Sequence, residues 1–181
     1  ELAEHQGSRI AYSSGLLEVM APSPEHEKKK EIIGDLLKAL LEALDQEFWP
    51  LGSTTFKNKA MLKGIEPDQC FYIQNEAAVR GKKRIDLTVD PPPDLALEID
   101  VTSRTRTDTY AALGVPELWR REGQTIRIYQ LQSGQYVEVQ DSPTFPDWPL
   151  QDQISRCVAQ SQAEGRNRAM QAFRQWIRGR Q

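Results

Sequence analysis

An α+β fold is predicted for this chain by three observations: a long amphipathic helix near its start, a central strand with carboxylates along one face, and an order of elements that mixes hairpins with helices. The strand is the stretch from Asp94 to Val101 in PPPDLALEIDV. Leu95, Leu97, Ile99 and Val101 alternate with Asp94, Ala96, Glu98 and Asp100, a period of two in which the apolar set meets a core. Side chains two apart on one strand stand roughly 6.5–7 Å from each other, so Glu98 and Asp100 point into one small volume. Carboxylates that close raise one another's pKa unless a cation intervenes. The acidic face is therefore expected to meet a metal ion, a basic partner or open solvent.

Taken in order, residues 8–21 read as a β-hairpin turning at Ser13-Ser14-Gly15. Ser23 is placed to cap a helix, with Pro24 at its first position and Glu25 and Glu27 in its first turn. Ile33, Leu37, Leu40 and Leu44 repeat at helical spacing, which predicts a helix from Glu25 to Asp45. Glu47 to Phe56 reads as an irregular strand bent at Pro50 and Gly52, and Ile65 to Ile73 as a second strand carrying Pro67-Asp68. On that strand Asp68, Cys70 and Tyr72 share a face. A short helix is expected at 75–80, and a further helix after Val101 that ends at Gly114. Glu117 to Arg121 starts a strand, TIRIYQL and QYVEVQ form a hairpin around Ser133-Gly134, and one final helix begins near Leu150.

The chain has 181 residues, enough for one domain with a real core. The expected division is a domain over 1–149 with 150–181 as its C-terminal helical extension. The chain opens on Glu1, so a natural N-terminus is expected to lie upstream. No apolar run reaches the ~20 residues a bilayer span needs, and Cys70 and Cys157 form neither a disulfide framework nor a CxxC pair. A cytoplasmic location is expected. The net charge of −3 is uneven: residues 151–181 hold six arginines against Asp152 and Glu164, a net of +4, which leaves −7 for the rest. Charge alone therefore gives little sign of nucleic-acid binding. There is no GxGxxG, no Walker A and no HExxH. With only His5 and His26, a histidine-rich zinc site is excluded. A cysteine-protease site on Cys70 would have His26 as its one plausible partner.

What remains is an order of elements: long helix, strand, strand with Pro-Asp, strand with Glu-x-Asp, helix, strand. This resembles the PD-(D/E)XK, or restriction-endonuclease-like, superfamily, and more closely its Uma-type family of bacterial endonucleases. The local matches are EPD at 66–68, PDLALE at 93–98, YAALGVPELW at 110–119, the opening SRIAYSSGLLEVMAPSPEH and the His26 helix entry. They span roughly residues 8–140.

The resemblance implies an αβββαβ core and a Mg²⁺-dependent endonuclease acting on DNA, with Mn²⁺ as substitute. Asp68 and Glu98 would be the metal ligands, and Asp100, Arg106 and His26 further catalytic candidates. The residue two past the glutamate is usually lysine and here is Asp100. In the Uma-type family a lysine commonly lies four before the tyrosine, where this chain has Arg106. Lys57 and Lys63 are alternative cations, Glu31 and Tyr110 further neighbours of the site. The expected partner is DNA, with a second copy of the chain as a further candidate and no membrane. The alternative reading is a catalytically inactive nuclease-fold protein that binds DNA or protein, because the lysine is replaced. For the acids themselves the plain reading is a solvated sheet face.

Overall fold

In the computed structural model, which describes residues 9–13, 15–58, 63–99 and 104–181, the expected hairpin is β1 (Arg9–Ser13) and β2 (Leu16–Met20), paired antiparallel. Helix α1 (Pro24–Ala43) follows. Ser23 caps it as expected: its backbone is extended and its Oγ accepts the His26 N–H at 3.2 Å. Glu25 and Glu27 lie in the first turn, where carboxylates suit the positive end of the helix dipole.

The strand expected over 47–56 is instead two short pieces in different sheets, β3 (Trp49–Pro50) and β4 (Phe56–Asn58). Pro50 cannot donate to a ladder, and the chain turns at Gly52, so pairing cannot run through. The strand expected over 65–73 also divides, into β5 (Lys63–Ile65) and β6 (Gln69–Tyr72). Pro67 lies in the break and has no amide hydrogen to offer. After the short α2 (Glu76–Val79) come β7 (Leu95–Ile99), α3 (Arg104–Leu113) and β8 (Glu117–Glu122). The hairpin β9 (Thr125–Gln132) and β10 (Gln135–Val139) follows. The single C-terminal helix expected from sequence is two, α4 (Leu150–Glu164) and α5 (Arg166–Arg178). Gly165 separates them at φ 102°, a conformation open to glycine and strained for other residues.

The strands form a four-stranded sheet in the order β2-β1-β5-β4 and a six-stranded sheet in the order β10-β9-β8-β7-β6-β3. Only β7 and β8 pair in parallel, across the α3 connection. Leu95, Leu97 and Ile99 of β7 join one core with Phe71 and Trp119, covered by the apolar stripe of α1 and by α4 and α5. Ala96 and Cys70 on the opposite face join a second core with Tyr110, Leu113, Ala11 and Phe56. The six-stranded sheet is thus a middle layer, and every residue of β7 is buried. Asp94 and Glu98 are therefore not solvated, so the plain alternative reading of the acids does not hold for these two. Fully burying a Leu or Ile side chain contributes about 1.5–3 kcal/mol, so a strand with apolar contacts on both faces anchors both layers at once.

The stripe of Met170, Phe173 and Ile177 packs into the first core, with Trp176 beside it. Phe173 and Trp176 stack at 5.4 Å, and Trp176 meets Trp148 edge-on at 5.3 Å. Arg166 Nε donates to Asp35 Oδ2 at 3.2 Å and Lys38 Nζ lies 2.6 Å from Oδ1, so α5 is tied to α1.

Burial pushes the Asp35 carboxyl up, but Arg166 and Lys38 outweigh it and hold the group below the usual carboxylate range. A depressed folded value contributes stability that is present above the unfolded pKa of about 3.9 and lost as pH falls through the folded one. Asp35→Asn is expected to lower stability near pH 7 by less than about 1 kcal/mol, since Arg166 is solvent-exposed. The gap to wild type should begin to narrow below about pH 4 and close only once pH has fallen through the lowered folded value. Urea unfolding at the two pH values measures this, and an equal gap at both would discount the ionic tie.

Candidate active site

Asp68 sits in the bend that opens β6 and is wholly buried. The β6–β7 ladder pairs Cys70 with Ala96 and Gln69 with Leu97. One step further along the same antiparallel register, Asp68 comes opposite Glu98. Directly opposed residues project to the same face with Cβ atoms about 4.5–5.5 Å apart. Asp68 Oδ2 accepts the Ile99 N–H at 2.6 Å, so the aspartate side chain holds the strand just where regular pairing ends.

His26 reaches the same oxygen from the first turn of α1, its Nε2 2.9 Å from Asp68 Oδ2. Its other nitrogen, Nδ1, lies 3.5 Å from Glu27 Oε1. Two turns on, Gly34 faces Gln69 of β6, where a Cβ would stand 3.4 Å from Gln69 Nε2, an ordinary contact. On the other side Glu98 is 2% exposed, and its Oε1 accepts a hydrogen bond from the Tyr110 hydroxyl of α3. Tyr110 is therefore both a core residue and a partner of the central glutamate. Glu98, Asp68 and His26 are brought together by three separate elements around the end of β7.

Other sequence candidates lie elsewhere. Glu31 is on the exposed side of α1, 3.3 Å from Lys30 Nζ. Asp94, counted on the acidic face, stands at the far end of β7, where Oδ2 accepts the Ile73 and Asn75 N–H groups at 2.6 and 3.0 Å. It fixes a loop. Cys70 is fully buried, and burial pushes its thiol well up, while Sγ faces Gly52 O at 3.6 Å. A thiol buried in this way is the inert structural kind rather than a reactive nucleophile. Asp100 lies outside the described residues, as do the side chains of Arg106, Lys57 and Lys63. Backbone geometry puts Arg106 in the first turns of α3, one turn before Tyr110.

One neighbour escaped the sequence reading. Arg120 is the parallel register partner of Glu98 on β8. Its Nη2 is 3.3 Å from Glu122 Oε1 and its guanidinium lies 5.9 Å from the centre of the Tyr129 ring. The WRR run at 119–121 held it in view, but only the β7–β8 pairing puts it beside the glutamate.

Among the described residues no group of three or more His, Cys, Asp or Glu side chains is arranged to hold a metal ion. An opposed Asp and Glu are an oxygen-only donor set. That suits a hard cation such as Mg²⁺, which takes one or two carboxylates and keeps waters and substrate oxygens for its remaining positions. It does not suit a structural zinc, which takes four protein ligands.

A family model described as "Uma2: Putative restriction endonuclease" matches residues 1–158. Among solved structures the chain is similar to "a putative nuclease belonging to DUF820" from Anabaena variabilis ATCC 29413. The TM-score is 0.59 and the identity 14%, over 82% of this chain and 90% of that one. At that identity the likeness is one of fold. No curated protein matches.

The Tyr110–Glu98 bond joins α3 to the central strand, and hydrogen bonds to charged groups contribute about 1.5–3 kcal/mol. Tyr110→Phe should destabilise by that order, and a double-mutant cycle with Glu98→Gln should give a coupling of about 0.5–3 kcal/mol. Additive effects in urea unfolding would mean that the two side chains do not interact.

Proposed function

Since the chain belongs to the Uma2 family, we propose that it is a divalent-metal-dependent endonuclease that hydrolyses DNA phosphodiester bonds on a restriction-endonuclease-like core. The core in this reading is α1, the antiparallel run β3, β6 and β7, then α3 and the parallel β8, which are neighbours in that order in the large sheet. The observation that carries the chemistry is the opposition of Asp68 and Glu98 at the end of β6 and β7, each held by a hydrogen bond from a different element.

Asp68 and Glu98 would hold Mg²⁺, or Mn²⁺ in its place. Such an ion, when bound, polarises the scissile phosphate and lowers the pKa of a water. The chain's own contribution is alignment. The Ile99 N–H and His26 orient Asp68, and Tyr110 orients Glu98. Because the two carboxylates are buried, their geometry is set by the fold before substrate arrives, which is what electrostatic preorganisation requires. His26 acts here as a positioning residue for Asp68. Arg106, early in α3, would supply a fixed positive charge toward a phosphate oxygen. A guanidinium stays protonated at working pH, so it serves electrostatically and not as a base. Asp100 would add a third carboxylate two residues beyond Glu98, at the position where the superfamily usually carries lysine.

The test is cleavage of plasmid DNA with Mg²⁺ or Mn²⁺, compared across wild type, Asp68→Asn and Glu98→Gln. Both substitutions should abolish cleavage. Millimolar metal should raise the wild-type melting temperature through RT ln(1 + [L]/Kd), about 2.7 kcal/mol at a hundredfold excess over Kd, and should not raise that of Glu98→Gln. His26→Ala should weaken metal affinity by about 10–100-fold, as loss of a ligand-orienting group does. Wild type that binds DNA yet never cleaves it under any divalent metal would sink the enzymatic reading.

A further inference from the structure

We propose that the solvent face of α5 is a nucleic-acid-binding surface that grips the phosphate backbone through Arg168, Arg174 and Arg178. The kind of polyanion rests on the nuclease reading above; the preference for an anion rests on the helix itself. Residues 165–181 contain five arginines and no Asp or Glu, a net of +5, which leaves −3 − 5 = −8 for the rest of the chain. A polyanion therefore gains no general attraction from the molecule and must be met by a local positive feature. α5 lies beyond the residues that the family model matches.

Packing defines the face. Ala169, Met170, Phe173 and Ile177 are buried, so the apolar side of α5 is already used in the core and cannot serve a lipid surface. On the opposite side Asn167, Arg168, Gln171, Arg174, Gln175 and Arg178 are all exposed. A surface helix gains from opposite charges three or four residues apart, and α1 has them in Glu25–Lys29, Glu27–Lys30 and Asp35–Lys38. The outer face of α5 carries only cations and amides. Arg168 sits in its first turn, at the positive end of the helix dipole, where a cation is unfavourable. These arginines are not placed to stabilise the helix that bears them.

Among the described residues Arg168, Arg174 and Arg178 form no ion pair, whereas Arg80, Arg127 and Arg166 are each neutralised by a carboxylate. Of the carboxylates flanking α5, Asp35 is held by Arg166 and Lys38, and Glu164 accepts from Gln160 Nε2 at 3.1 Å. Glu42 shares a recess with Lys38 and Arg174. Guanidinium forks match phosphate oxygens in geometry as well as charge, and Asn and Gln side chains bond to phosphate and sugar. A protein partner would need aromatic or apolar anchors in the middle of the contact, and the six exposed residues offer none. Arg168 and Arg178 are 178 − 168 = 10 residues apart, about 15 Å along the axis. Each DNA strand carries a phosphate about every 3.4 Å, so one run of backbone meets both. α5 lies beside α1, with Arg166 at Asp35 and Gln181 at Ala43, so its start is the end nearer His26. Measured along α1, Asp35 is 35 − 26 = 9 residues from His26, about 13 Å. That is well within one turn of duplex, about 34–36 Å.

The experiment is fluorescence anisotropy of a labelled DNA duplex in chelator, so that nothing is cut, between roughly 50 and 200 mM salt. Wild type is compared with the double variants Arg168→Ala/Arg178→Ala and Arg168→Lys/Arg178→Lys. The control is Arg84→Ala, an exposed arginine away from α5, and circular dichroism verifies folding. The double alanine variant should weaken binding at least tenfold and reduce the salt slope by about 1.8, two phosphate contacts at about 0.9 each. The double lysine variant should keep the wild-type slope, and Arg84→Ala should leave affinity and slope unchanged. The proposal is overturned if wild type does not bind the duplex, if the double alanine variant keeps the wild-type slope, or if Arg84→Ala causes the same loss. It is also overturned if poly-glutamate displaces the duplex as well as unlabelled DNA does at equal charge, which would assign the face to an acidic polypeptide. These outcomes separate from the nuclease reading. Cleavage together with an unchanged slope in the double alanine variant removes the α5 surface alone, and binding with the expected slopes but no cleavage removes the enzyme alone.

Discussion

The arrangement depends most on one bond, the 2.6 Å contact in which Asp68 Oδ2 accepts the Ile99 amide. Where a strand pair ends, the next amide must find another acceptor or lose a hydrogen bond whose absence in a buried place costs about 1–3 kcal/mol. Asp68 answers that need with a charged acceptor, and in doing so fixes its own carboxylate at the mouth of the sheet. The same oxygen meets His26, so the entry of α1, the end of β6 and the end of β7 are held at one atom. A site made this way does not require a dedicated loop. It is built from the termination of regular structure.

The surrounding layers explain why the site can be rigid. One face of the six-stranded sheet is covered by three helices and the other by α3 and the small sheet. The acids are enclosed because the strands carrying them are apolar on both sides of the polar positions. Away from the site the same economy appears at Glu117, which is buried and accepts from Trp119 Nε1, Ser142 Oγ, and the Thr144 amide and hydroxyl at 2.5–3.0 Å. One carboxylate thereby fastens the proline-rich loop to the start of β8. Glu117 is thus surrounded by donors, as the desolvation of a buried carboxylate demands.

Much of this was legible in the residues. The α1 stripe, its Ser23 cap and the alternation of β7 rest on local periodicity, and local periodicity is readable. The hairpin turn at Ser133-Gly134 is legible for the same reason. The strands around Pro50 and Pro67 were read as continuous because apolar alternation survives the proline, while the ladder does not. The helix break at Gly165 was missed because apolar spacing resumes at once beyond it. The enclosure of Glu98 was not legible either: Ala96 and Cys70 are too small to announce a second core, and only the packing of Tyr110 and Phe56 creates one. Arg120 and Arg121 became neighbours of Glu98 and Ile99 through a parallel pairing across a helix, which no local pattern encodes.

The tie between Asp35 and Arg166 spans 131 residues of chain. During synthesis, which proceeds at about 5–20 residues per second, α1 emerges early with its apolar stripe complete. The residues that cover part of it, Met170, Phe173 and Ile177, emerge only after the strands of the large sheet. Until then this part of the α1 stripe lacks its final cover, while β6 and β7 already supply the rest. Docking of α5 is thus the step that completes the cover of α1.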